Sequence, residues 1–181
     1  RNYEINIFIS EFARVFESSF DILSSDAERA FLRSNPYSSQ NIFLSIPDKM
    51  VPDNCKEFYR EHYLKLNLSI YGLSSASENW YRTVHEKLLT YDFEPLNMSP
   101  CIFVKKKGYK CILIIHVDDI LVKIRSENAD DIKLKLKSLG FMKWESLKES
   151  KQIEFLGRNI IIDNNFVKIN MNDKVAGLVK I

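Results

Sequence analysis

Two adjacent carboxylates, Asp118 and Asp119, sit inside the most apolar stretch of the chain. From Ile112 to Ile124, nine of thirteen residues are Ile, Leu or Val. Like charges beside apolar surface repel one another and lose hydration. A divalent cation relieves both costs, because hard cations such as Mg²⁺ take carboxylate oxygens. The plain alternative is a solvated turn. Asp is common in turns, although the usual two-residue hairpin pairs are Asn-Gly and Asp-Gly rather than Asp-Asp. A third acid, Asp26, closes an extended segment that begins at Asp21. In isolation it reads first as a cap for a turn or helix over 27–32. Three carboxylates from two strand ends would also suit two cations about 3.5–4 Å apart, the arrangement of phosphoryl-transfer sites.

Such acids need strands that end together. The β-branched run 112–124 predicts two buried strands folded back on each other, with the acids at the tip. Cys101–Lys105 predicts a strand before it, turned by Lys106-Lys107-Gly108. Ile42–Ile46 predicts a strand stopped by Pro47, with Tyr63–Leu66 as its partner. Pro52–His62 shows no readable period. Ile153–Ile162 and Phe166–Asn170 predict two strands around an Asn164-Asn165 turn. Helices are expected over 5–20, from Glu78 to about Tyr91 with Ser77 as N-cap, and over Glu127–Leu139 with Gly140 as its stop. Trp80, Tyr81, Val84, Leu88 and Tyr91 share one side of the second helix. Its N-terminus could meet a phosphate or simply be packed. Asp173–Ile181 begins a further helix. The predicted class is α+β, an antiparallel sheet with helices packed on one face.

Composition narrows the function classes. At 181 residues with 45% hydrophobic and 28% charged content, the chain has the makeup of one globular domain or a large part of one. A net charge of +2 permits nucleic-acid binding without demanding it. No apolar run reaches the roughly 18 residues of a membrane span, so no membrane partner is expected. Cys55, Cys101 and Cys111 lack C-x-x-C spacing and fit buried thiols in a reducing compartment. The absence of an initiator Met and of a signal peptide marks Arg1 as the expected cut edge of a longer polypeptide.

Four blocks, in order, carry a resemblance. Ser25-Asp26-Ala27-Glu28-Arg29-Ala30-Phe31-Leu32 is similar to the first polymerase motif, a catalytic Asp with an aromatic five residues on. Leu66-Asn67-Leu68-Ser69-Ile70-Tyr71-Gly72-Leu73, continuing to Trp80-Tyr81, is similar to the K-S-L-Y-G-L-K-Q-A-P-R-x-W-Y block. His116-Val117-Asp118-Asp119-Ile120-Leu121 is similar to the Y-V-D-D-I-L box, and Phe155-Leu156-Gly157 to the F-L-G of a primer grip. Together these resemble the reverse transcriptase of copia-type LTR retrotransposons over nearly the whole chain.

The resemblance implies a right-hand polymerase palm with fingers and thumb incomplete. It implies palm and residual fingers elements over 1–150, and a primer-grip-like hairpin with the start of the thumb connection over 151–181. The implied reaction is RNA-directed, template-dependent transfer of a deoxynucleotide to a primer 3′ end. Asp26, Asp118 and Asp119 would hold two Mg²⁺ (or Mn²⁺) ions. One ion would lower the pKa of the 3′-hydroxyl and the other would hold the triphosphate. Phe31 would exclude a 2′-hydroxyl, and Tyr71 and Gly72 would lie against the nucleotide and template. His116, Phe155, Leu156 and Gly157 would position the primer. Lys143 is either a proton donor to pyrophosphate or a surface lysine. The implied partners are an RNA or DNA template with primer, deoxynucleoside triphosphates, and the remainder of a retrotransposon polyprotein. The implied location is cytoplasmic, within virus-like particles, or nuclear.

Departures from the family pattern set the competing expectation. His116 stands in place of Tyr in the box, and an imidazole is smaller and ionises near neutral pH. Ser74, Ser75 and Ser77 stand for Lys, Gln and Pro, and Glu78 for Arg. The chain is expected to begin after the basic fingers strands and to stop at the thumb root, without RNase H or an integrase zinc motif. The alternative is therefore an inactive or domesticated fragment that binds nucleic acid or a protein partner. Another two-metal enzyme such as a nucleotide cyclase would share the acids but not Tyr71-Gly72-Leu73 or Trp80-Tyr81.

Overall fold

The computed structural model describes residues 19–37, 41–97, 99–163 and 166–170. The chain divides into two compact units, one of Arg1–Glu28 with Glu86–Ile181, the other of Arg29–His85. Both are mixed α and β with antiparallel strands.

The first unit is built on a six-stranded sheet. Its strands are β1 (Phe20–Ala27), β4 (Phe93–Leu96), β5 (Ser99–Lys105), β6 (Cys111–His116), β7 (Asp119–Arg125) and β8 (Phe141–Ser146). They run in the order β4-β5-β6-β7-β1-β8. All neighbours are antiparallel. β1 lies between β7 and β8, far along the chain from both. Ile22, Leu23, Leu113, Ile114, Ile120, Leu121 and Val122 are all buried, so the central strands lose water on both faces. That is why the sequence runs continuously apolar there instead of alternating.

A three-stranded sheet, β9 (Gln152–Phe155), β10 (Arg158–Asp163) and β11 (Phe166–Asn170), covers one face. Ile153, Phe155 and Ile160 from it pack with Ile22, Ile102, Ile114 and Leu121 of the large sheet and with Leu147. The buried Asp21 anchors this layer. Its Oδ2 accepts the Ser146 hydroxyl at 2.6 Å, and its Oδ1 accepts the backbone N–H of Ile22 at 2.8 Å and of Lys148 at 3.2 Å. Ser146 in turn caps a one-turn helix at Leu147–Ser150 by accepting the Glu149 N–H. The helix at Ala129–Leu136 lies against β8 and buries Ile132 and Leu136. The helical stretch ends, after a 3₁₀ turn at Lys137–Leu139, with Gly140 at φ 96°, a left-handed conformation that glycine adopts without a steric penalty.

The second unit holds β2 (Ile42–Leu44) paired with β3 (Leu64–Leu66), as the sequence predicts. A short helix at Lys56–Arg60 fills the stretch that showed no period. The long helix Ala76–Leu89 starts in this unit, with Trp80, Val84 and Leu88 buried along it.

Several expectations need correction. Ile153–Ile162 is not one strand. It breaks at Leu156-Gly157 into β9 and β10, because both residues take left-handed backbone, φ 53° and 69°, and reverse the chain. β8 is a strand without a sequence signal, since Phe141-Met142-Lys143-Trp144-Glu145-Ser146 has no clean alternation. Phe20 opens β1 instead of closing a helix, and the remainder of the 5–20 helix, like the helix at 173–181, lies outside the described residues. Ser77 lies within its helix instead of capping it. Of the cysteines, Cys111 is buried, Cys55 half-buried and Cys101 exposed.

Candidate active site

The acids meet at one end of the large sheet. β6 and β7 form a hairpin with His116 paired to Asp119, leaving Val117-Asp118 as a two-residue loop. β1 pairs with β7 so that Asp26 stands directly across from Asp119. Directly opposed residues of an antiparallel pair project from the same face. His116, Asp119 and Asp26 therefore form a row across three strands, on the face covered by β9–β11. The Ala27 N–H donates to the Asp118 carbonyl at 2.8 Å, which ties the loop to the end of β1.

Val117 has φ 56°. A β-branched side chain in the left-handed region is strained, at a cost on the order of 1–3 kcal/mol. The strain follows from fitting a two-residue loop between paired strands without the usual Asn or Gly.

The electrostatics at this end are one-sided. Loss of water among neighbouring atoms, then repulsion from Asp118 and Glu28, pushes the Asp26 carboxyl up, while Lys143 pulls it down. Asp119 is likewise pushed up, by burial first and then by Asp118 and Asp26, with His116 opposing. Lys143 reaches this site through a bulge. Ser25 pairs with Trp144 and Ala27 with Phe141, so three steps along β8 match two along β1 at the level of Asp26. The Lys143 Nζ lies 2.9 Å from Glu28 Oε1, and this pair holds the lysine above its ordinary pKa.

These residues line an open cleft of about 410 Å³. Ser24, Ser25, Asp26 and Glu28 form one side with Asp119, Lys143, Trp144 and Glu145; Glu154, Phe155, Leu156 and Gly157 form the other. Asp26, Asp119 and the Phe155–Gly157 tip, all singled out by the sequence, come together in this place. Glu28, Glu145 and Glu154 join them without having been anticipated. Glu28 follows Asp26 by two positions, a spacing that could have signalled it. Glu154 carries no signal as long as its segment reads as a single strand.

Carboxylate oxygens are the donors that Mg²⁺ and Mn²⁺ prefer, and the mutual repulsion here is what a cation would reverse. Among the described residues, however, no group of three or more His, Cys, Asp or Glu side chains stands ready to hold an ion. The donor chemistry fits, and the side chains would have to draw together on an ion.

The remaining residues singled out lie in the second unit. Phe31 sits in a 3₁₀ turn at Ala30–Arg33, and its ring lies 4.8 Å from that of Tyr71, tilted by 57°. Gly72 has φ 92°, with nothing within 4 Å of where a Cβ would stand. Backbone conformation, not space, requires glycine there.

Comparison with known proteins places this arrangement. The reverse transcriptase (RNA-dependent DNA polymerase) family profile matches residues 10–181. The chain is 28% identical over 108 residues to the Retrovirus-related Pol polyprotein from transposon RE1 of Arabidopsis thaliana. That match covers 59% of the chain and 7% of the relative, so the chain spans a small part of that polyprotein. Among solved structures, telomerase from Candida albicans in complex with a telomeric RNA fragment aligns with TM-score 0.53 and 13% identity. It covers 94% of this chain and 34% of the telomerase chain. Apo telomerase from Candida tropicalis aligns with TM-score 0.52 and 12% identity, over 92% and 36% of the respective chains. At these identities the likeness concerns fold alone, and it is a polymerase palm-like fold. The chain belongs to the reverse transcriptase (RNA-dependent DNA polymerase) family.

Proposed function

We propose that this chain is the palm-bearing part of an RNA-directed DNA polymerase from a copia-type retrotransposon polyprotein. It would add deoxynucleotides to a primer 3′ end on an RNA or DNA template. The observation that carries the reading is the cross-strand pair Asp26–Asp119, with Asp118 in the adjoining loop, on the wall of an open cleft. Asp26, Asp118 and Asp119 would hold Mg²⁺ or Mn²⁺, which when bound supplies a positive field for the 3′-oxygen and the triphosphate. The protein's own contribution is to hold three carboxylates at one sheet end before substrate arrives. His116 and the Phe155-Leu156-Gly157 tip are assigned to the primer. Phe31, Tyr71 and Gly72 are assigned to the nucleotide. Residues 1–150 would be palm with fingers elements, and 151–181 primer grip and thumb root. Such a polyprotein would work in the cytoplasm, inside virus-like particles, or in the nucleus.

One observation favours the alternative, an inactive or domesticated fragment that binds nucleic acid or a partner. Among the described residues, Asp26, Glu28, Asp119, Glu145 and Glu154 line the cleft against a single lysine. Without bound cations a triphosphate is repelled there. Primer extension decides between the two. The chain is given a DNA primer on an RNA template with deoxynucleotides and Mg²⁺ or Mn²⁺, beside an Asp118→Asn control. Extension that the control lacks is the expected outcome. If the folded chain does not extend even when fingers and thumb from a complete relative are fused to it, the polymerase reading fails.

A further inference from the structure

Within the second unit, two separate stretches of chain meet at the Phe31–Tyr71 ring contact. What holds them there is polar and buried. Asn79 is 3% exposed, and its Nδ2 donates to the Asn35 carbonyl at 3.0 Å and to the Ser69 hydroxyl at 2.9 Å. Its Oδ1 accepts from Arg82 at 2.7 Å. Ser69, 0% exposed, donates to the Tyr37 hydroxyl at 2.9 Å, and that hydroxyl also bonds to the Ser75 hydroxyl at 3.2 Å. Thr83 accepts the Asn35 N–H at 2.8 Å and donates to the Asn79 carbonyl. Asn35 follows Phe31 by four residues, and Ser69 precedes Tyr71 by two. One buried side chain thus clamps the segment after Phe31 to the loop that carries Tyr71. Tyr71 itself is 61% exposed, so burial of its own surface does not explain its position. Its ring lies against that of Phe31, which is itself half-buried.

We propose that Phe31 and Tyr71 act as one sugar-reading couple, with Tyr71 fixing the Phe31 ring and Asn79 fixing the spacing between them. The inference rests on the polymerase reading and deepens it. A ring excludes a 2′-hydroxyl only if it cannot swing away when the hydroxyl arrives. A lone phenylalanine in a 3₁₀ turn has rotamers to retreat into, and a second ring against it removes them. Ser75 stands where the family has Gln, and here it serves the network through Tyr37. Loss of the longer polar side chain is therefore compatible with a fixed loop.

Equilibrium binding tests this without requiring turnover. The chain is assembled with an RNA template and a primer ended in a dideoxynucleotide, in Ca²⁺, and titrated with dATP and with ATP. Wild type is expected to prefer dATP by at least tenfold. Phe31→Ala should abolish the preference. Tyr71→Ala should narrow it by at least fivefold, mostly through tighter ATP binding, and Tyr71→Phe should restore it. Asn79→Leu, checked for an intact circular dichroism spectrum, should narrow it as well, while Arg33→Ala at the end of the same turn should not. If wild type and Phe31→Ala behave as stated but Tyr71→Ala keeps the full preference, the couple is overturned and the polymerase reading stands. If folded wild type binds neither nucleotide even with fingers and thumb from a complete relative fused to it, both fall together.

Discussion

Two hairpins of similar build meet the cleft, one lining it with Asp119 beside its tip and the other with Phe155-Leu156-Gly157 at its tip, and they are put to different uses. At the β6–β7 tip, Val117-Asp118 joins strands paired at His116 and Asp119. At the β9–β10 tip, Leu156-Gly157 joins strands paired at Phe155 and Arg158. Each loop has two residues, and each puts a bulky aliphatic residue into left-handed backbone, Val117 at φ 56° and Leu156 at 53°. Each has a loop carbonyl held by a bond that is not one of the ladder's own. The Ala27 N–H reaches Asp118, and the buried Arg158 reaches Leu156 with Nη1 at 3.1 Å. They differ in charge. The first tip gathers carboxylates that repel one another, and the second is apolar and braced by a buried cation. The first tip is arranged for a ligand at some cost to the fold, whereas the second is arranged for the fold and offers the ligand a surface.

The largest test of that contrast is catalytic. Asp119→Asn should lower primer extension by about 10³-fold or more, the scale on which charge-stabilising groups act at a reacting centre. Leu156→Ala should lower it by less than about tenfold, and should do so through weaker primer binding. Equal losses at the two tips, read by single-turnover extension, would remove the distinction.

The contrast also explains what could be read in advance. The acidic tip was legible because Asp-Asp interrupts an unbroken β-branched run, and no core strand accepts two charges without a reason. Asp26 was only partly legible: in isolation it reads first as a cap, the acidic tip made a meeting of the two strand ends possible, and only the register of the sheet sets it across from Asp119. The apolar tip was singled out by resemblance but was not legible as a turn. Phe155-Leu156-Gly157 continues the apolar pattern on either side, and leucine gives no sign that it will take positive φ. The bulge bringing Lys143 beside Glu28 was hidden for a related reason. It depends on pairing between β1 and β8, which are far apart in sequence, and local periodicity does not report such pairing. The Asn79 clamp was equally invisible, since its partners lie at sequence distances of 10 and 44 residues.

A smaller effect separates the two tips by sign. Val117→Gly removes a Cβ from a position that penalises it. It should stabilise the fold by about 1 kcal/mol, the steric gain exceeding the added freedom of the unfolded chain. Gly157→Ala introduces a Cβ at φ 69° and should destabilise by about 1 kcal/mol. Urea titration with an unchanged m-value reads both. Two changes of the same sign would mean that the loops do not share the backbone plan described above.

The smallest effect follows from the charges. Asp26 and Asp119 both have carboxyls pushed above the ordinary value of 3.8. Between the unfolded and the raised folded pKa, the folded state binds more protons, so stability falls as pH rises through that window and stays lower above it. At pH 7 without divalent cations, Asp119→Asn should therefore melt above wild type, by roughly 2 °C for a modest relief of repulsion in a chain of this size. The gap should close as pH drops below 3.8, where the native carboxyl is neutral in both states. Adding Mg²⁺ at pH 7 should reverse the order, because bound cation stabilises only the chain that keeps its carboxylates. A wild type that melts above Asp119→Asn without any cation would mean that the acidic tip is held by partners that satisfy its charge. In that case the first tip would serve the fold just as the second does.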